Sequence, residues 1–169
     1  PDKNWEDIAL PMTDPSEGLI SFQEALRERK VAVQPCDLDK DLSVHMDQPT
    51  PGTIRLTYCR IVGGEVRALV MFVRAEPIDG LPCFQVGYAV PEAHRNQGLA
   101  TSTLQSAIAE LVHGMKRNGV TKFCVEAVVG TGNLPSLRVA EKVLTHDRTE
   151  ATDEFSGEPA TQFVGVFPA

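Results

Sequence analysis

Arg95-Asn96-Gln97-Gly98-Leu99-Ala100 joins a short run of valine and aromatic residues, 83–90, to a long amphipathic run, 99–115. The reading of this hexapeptide decides the fold. Residues 83–90 read as a strand. Residues 99–115 read as a helix with Leu104, Ala107, Ile108, Leu111 and Val112 on one face. A strand, a glycine turn and a helix, in that order, leave unpaired backbone N–H groups at the start of the helix, where its dipole favours an anion. Gly98 lets the backbone approach closely because it has no Cβ, and Arg95 adds a cation whose forked donors suit phosphate. The hexapeptide therefore reads as a cradle for a phosphorylated cofactor.

Working outward, residues 53–62 and 66–75 are β-rich runs joined by Gly63-Gly64, a hairpin signal, and a turn at 78–82 leads into the strand at 83–90. These three strands form an antiparallel meander. Asn118-Gly119 ends the long helix, and 122–129 is a valine-rich strand. Strand, helix and strand through 83–129 require one parallel pair in an otherwise antiparallel sheet. Residues 133–144 form a short helix in which Asn133 makes an N-cap, Pro135 falls in the first turn, and Asn133 and Ser136 share a face. Residues 146–155 and 161–167 close the chain as a hairpin around Ser156-Gly157-Glu158-Pro159, with an edge open to pairing with a second copy. At the other end, 2–15 is a lead-in without period. Residues 16–30 form a helix capped by Ser16 or Ser21, with a stripe of Leu19, Phe22 and Leu26. Residues 37–51 are polar and bounded by proline, so they read as a loop placed to cover an acceptor site.

The 169 residues fit one domain, 1–169, of α/β class. A net charge of −7 without a basic stripe argues against nucleic acid and mildly favours a cationic partner such as an amine. No apolar run reaches the roughly 20 residues of a membrane span. Residues 1–10 carry Asp2, Glu6 and Asp7 and lack a signal-peptide core. Four widely spaced cysteines read as buried reduced thiols in a cytoplasmic protein, and no His, Cys or carboxylate spacing points to a metal.

Three segments together resemble the GNAT family of acyl-CoA-dependent N-acetyltransferases. They are the hexapeptide itself, Gly87-Tyr88-Ala89-Val90-Pro91-Glu92 before it, and Asn133…Ser136…Val139-Ala140-Glu141-Lys142 after the next strand. The likeness is strong over 84–144 and is nearest to the branch of ribosomal-protein N-terminal acetyltransferases. It implies a mixed, mostly antiparallel sheet flanked by helices, with strands 83–90 and 122–129 splayed into an acetyl-CoA crevice. Backbone groups at Ala89 and Val90 would meet pantetheine and the thioester. Arg95, Asn96, Gln97, Gly98, Leu99, Ala100 and Thr101 would hold the pyrophosphate, and Asn133 and Ser136 the pantetheine arm.

Many relatives place an acidic tyrosine in the last helix; the matching position here is Ala140, which turns attention to Ser136 as the proton donor. Glu126 and Glu154 are the candidate bases, with a water chain as the alternative, since Gln85 stands where other relatives carry a glutamate. Of the histidines, His94 adjoins the phosphate loop, His113 reads as a helix-surface residue, and His45 and His146 fall in loop-like places, His146 being a lesser base candidate. Tyr88 reads as packed. The resemblance implies direct acetyl transfer from acetyl-CoA to a primary amine, either a protein N-terminus or a small molecule. The alternative is an acyl-CoA-binding sensor without catalysis.

Overall fold

Helix α1 (Pro15–Arg27) starts where the Asp14 carboxylate accepts the Ser16 N–H at 2.8 Å, with Pro15 in the first turn. Asp14 is thus the cap in place of Ser16 or Ser21. The computed structural model describes residues 14–169, so the lead-in read over 2–15 lies almost wholly outside the described residues. The helix stops short of Lys30, and Arg29 takes a left-handed φ of 56° just beyond it.

Eight strands follow in one sheet: β1 (Gln34–Pro35), β2 (Ser43–Thr50), β3 (Thr53–Val62), β4 (Glu65–Ile78), β5 (Leu81–Ala89), β6 (Lys122–Gly130), β7 (Thr149–Thr152) and β8 (Pro159–Pro168). Their order across the sheet is β1-β2-β3-β4-β5-β6-β8-β7. Helix α2 (Leu99–Arg117) crosses from β5 to β6, and α3 (Leu134–Val143) links β6 to β7. Only the β5–β6 pair is parallel, as the strand–helix–strand order requires.

The loop expected over 37–51 is a correction, because most of it is β2, paired with β3 from Ser43↔Cys59 to Asp47↔Arg55. Its polar sequence hid it for a physical reason. The two-residue β1 pairs only with Ser43 and Val44, so the rest of β2 behaves as an edge. Polar side chains and Pro49 are tolerated there. Asp47 and Arg55, directly opposite each other, form an ion pair across the ladder.

Helices α2 and α3 cover one face of the sheet, burying Leu104, Phe72, Phe123 and Phe163 completely. Each such side chain contributes roughly 1.5–3 kcal/mol of burial. Helix α1 covers part of the opposite face, setting Leu19 against Leu69 and Met71. It lies close there: a Cβ on Gly18 would come within 2.8 Å of the Met71 methyl. A polar seam anchors α2. Arg60 of β3 donates to Thr103 and Ser106, both at 3.2 Å, and to Asp39 at 2.8 Å. The buried Glu110 carboxylate accepts backbone N–H groups of Asp37 (3.2 Å), Leu38 (2.6 Å) and Asp39 (2.8 Å).

Strands β5 and β6 pair only at Cys83↔Cys124, Phe84↔Val125 and Gln85↔Glu126. Beyond that point β5 stays with β4 and β6 stays with β8. The sheet opens there into a wedge, the splay that the sequence resemblance implied.

Candidate active site

At the mouth of the wedge β5 gives way to a 3-10 turn, Glu92–His94, and then to the loop that starts α2. Gly98 occupies the N-cap position at φ 72° and ψ 8°, and Asn96 is also left-handed at φ 60°. The space where a Gly98 Cβ would sit is open. Helices α1 and α3 are capped by Asp14 and Asn133, but no side chain caps α2 and its first turn holds no acid. Ser102 N–H bonds Gly98 C=O at 3.0 Å, whereas the amides of residues 96–101 meet no acceptor among the described residues. Six amides, two of them on left-handed residues, thus lack an acceptor among the described residues at the positive end of a 19-residue helix. This arrangement suits a diphosphate. Arg95 is steadied by its Nε, which donates to Val90 C=O at 3.1 Å.

A groove of about 2040 Å³ runs from this loop through the wedge to the face of the sheet that α1 leaves uncovered. Every residue expected to bind cofactor or to act in catalysis lines it except Gln97 and the lesser base candidate His146. Glu126 sits at the apex, the last β6 residue paired with β5. Gln85 donates to one of its oxygens at 3.3 Å, and Gln162 of β8 donates to the other. Successive register pairs set Asp47, Arg55, Val73, Gln85, Glu126 and Val164 in one row on one face. Glu154 lies on the turn between β7 and β8. That turn is held by Asp153, whose carboxylate accepts the N–H groups of Phe155 (2.8 Å) and Ser156 (3.0 Å). Glu154 is exposed at the groove's edge and makes no hydrogen bond to Glu126.

On the other wall, the Asn133 side-chain oxygen accepts the Ser136 N–H at 3.2 Å, so Asn133 caps α3 through its oxygen. The Ser136 hydroxyl is half-buried and makes no hydrogen bond among the described residues. Tyr88 is packed, as expected, but its phenol has a definite partner, the Ser136 C=O at 2.6 Å. Burial pushes that phenol well above its ordinary pKa. His94 lines the groove with Nε2 at 2.8 Å from Arg67 Nη1. His45 bonds Ala32 C=O at 2.8 Å, His113 lies 3.6 Å from Asp37, and His146 is exposed. Sequence reading missed Gln162 and gave Gln85 no part in the site. The alternation of β8 marks the groove-facing side of Gln162, but nothing local reveals its register against Glu126.

No family model matches the sequence, and no curated protein matches it. Among solved structures, the apo form of RimL, a ribosomal L7/L12 alpha-N-protein acetyltransferase, is similar over 82% of this chain and 97% of its own, at 15% identity and a TM-score of 0.54. AAC(6')-Ib, in complex with ribostamycin and coenzyme A, is 19% identical over 66% of this chain and 63% of its own, with a TM-score of 0.50. A GnaT-family acetyltransferase from Bordetella pertussis is 25% identical over 69% of this chain and 67% of its own, with a TM-score of 0.49. The likeness to the first two establishes the architecture: this chain has the GNAT fold, an open mixed sheet with its parallel pair splayed.

Proposed function

We propose that this protein transfers an acetyl group from acetyl-CoA to a primary amine directly, in a ternary complex. The observation that carries the reading is the bare amide cradle at 96–101 opening onto the wedge between β5 and β6. The cradle and Arg95 hold the pyrophosphate. The β5 backbone over 86–89, facing a gap where β6 has departed, offers strand-like hydrogen bonds to an extended pantetheine arm. Backbone donors near Ala89 and Val90 stabilise charge on the acyl oxygen, a contribution of about 10²–10³-fold for a single such donor. Acetyl-CoA, when bound, supplies the activated acyl carbon.

Glu126 accepts the proton lost by the amine as the N–C bond forms. The Ser136 hydroxyl donates a hydrogen bond to the sulfur as the C–S bond breaks, and the departing thiolate takes its proton from solvent. Glu154, at the rim, helps to attract a cationic acceptor. Structural neighbours, one named as a ribosomal L7/L12 alpha-N-protein acetyltransferase and one in complex with ribostamycin, suggest the two acceptor classes to be tried. The four free cysteines, all buried, suit the reducing cytosol in which we place this activity.

Incubation with labelled acetyl-CoA and parallel panels of peptides and small amines should yield acetylated amine and free coenzyme A in equal amounts, with no label on the denatured enzyme. Label on the protein would overturn direct transfer. Gly98→Glu places a carboxylate in the cradle, and calorimetry should then show loss of coenzyme A binding. Undiminished affinity would remove the cradle from the proposal.

A further inference from the structure

The wedge divides the molecule. Strands β1–β5 with α1 lie on one side, and β6–β8 with α3 on the other, while α2 touches both. Three side-chain hydrogen bonds cross directly between the two sides among the described residues. Cys124 Sγ to Pro82 C=O at 3.5 Å and Gln85 to Glu126 lie where the strands still pair. The third, Tyr88 Oη to Ser136 C=O at 2.6 Å, lies on the open side. Tyr88 is three residues past Gln85, about 10 Å further along β5. Its backbone pairs with Val70 of β4, so its main chain belongs wholly to the first side while its hydroxyl ends on the first turns of α3.

Ser136 C=O belongs to the helix ladder of α3, so Tyr88 adds a second bond to a carbonyl that cannot move without the helix. Asn133, one turn earlier, fixes where that helix begins. Ala140, with 0% exposure, contributes only a methyl group on the same face of α3 and leaves the phenol room to reach the helix.

We infer that Tyr88 is a positioning residue, a clasp whose bond to the Ser136 carbonyl fixes the gape of the wedge at the width the cofactor arm needs. The inference rests on the proposed coenzyme A crevice. Without the clasp, the free protein samples wider openings. Apparent affinity then falls in proportion to the fraction still held at the competent width. One neutral hydrogen bond is enough to change that fraction about three- to tenfold.

Tyr88→Phe keeps the ring and removes only the bond. Calorimetry should show coenzyme A binding weakened about three- to tenfold. Acetyl-CoA KM should rise by a like factor, with kcat within twofold of wild type. Glu110→Gln, far from the wedge, serves as a control that loses stability without losing coenzyme A affinity. Wild-type affinity in Tyr88→Phe, a fall in kcat with unchanged KM, or an equal loss of affinity in Glu110→Gln would each overturn the clasp. Wild type that binds no coenzyme A would instead defeat the crevice reading, and the clasp with it.

Discussion

Among the described residues, Glu126 is held by two glutamines and no cation. Amide donors orient a carboxylate without neutralising it, whereas an arginine or lysine in their place would spend the charge on a permanent ion pair. The row that includes Glu126 contains that contrasting case, for Asp47 is matched to Arg55. No ion-pair partner among the described residues therefore competes with an incoming ammonium group for Glu126. Glu126→Gln should lower kcat by about 10²–10⁴-fold, the usual range for a positioned base, with coenzyme A affinity unchanged. Single-turnover rates beside calorimetry separate the two effects. Full activity in Glu126→Gln, with loss in Glu154→Gln, would move the base to the rim. The glycine loop that opens α2 was legible in the sequence because all its parts lie within seven residues. The setting of Glu126 was not, because Gln85 and Gln162 come from 41 and 36 positions away and meet it only through strand register.

At the scale of elements, legibility tracked how strongly each segment's pattern was forced by burial. Helix α2 and strands β4 to β6 carry the core and show clear periodicity. Strand β2, half an edge, shows none, and its polar, proline-bounded sequence is that of a loop. The segment just before it has no regular structure to hold it, and Glu110 takes that part. This carboxylate satisfies three successive amides at 37–39, joining them to the middle of α2. Glutamine at that position offers one acceptor oxygen and turns an amide donor toward donors. At least one N–H is then left unpaired, so Glu110→Gln should cost about 1–3 kcal/mol in urea unfolding with little change in m. Asn133→Ala should cost about 1 kcal/mol through the lost cap of α3. Because that cap also fixes the helix that Tyr88 grips, the same variant should weaken coenzyme A binding, a coupling that Glu110→Gln lacks. Equal effects of the two variants on binding would dissolve the distinction between an anchor of the fold and a wall of the site.

For the whole molecule, buried and paired ionisable groups set how stability varies with pH. On the acid side, a hydrogen bond from Ser106 and the Arg60 guanidinium hold Asp39 below the ordinary carboxylate range near 3.8. The stability it contributes is complete above that value and is lost as pH falls through the lower folded pKa. On the alkaline side, burial pushes the Cys36 and Cys59 thiols from about 9 up to about 12, and the charges of Glu110 and Asp39 add to the effect at Cys36. The unfolded chain releases these protons from about pH 9, while the folded chain keeps them until about pH 12. Their contribution is therefore intact below pH 9 and is lost across the interval from 9 to 12. Each thiol adds about 1.4 kcal/mol per pH unit to the slope once it is ionised in the unfolded state. Cys59 has 0% exposure, and alanine there removes one titrating group while leaving a small apolar side chain. Urea unfolding under reducing conditions at pH 8, 9.5 and 11 should give Cys59→Ala a lower stability at pH 8 and a shallower decline above pH 9. The two curves should converge as pH rises. Parallel curves would mean that Cys59 ionises alike in the folded and unfolded chains, and the alkaline limb would then belong to other groups.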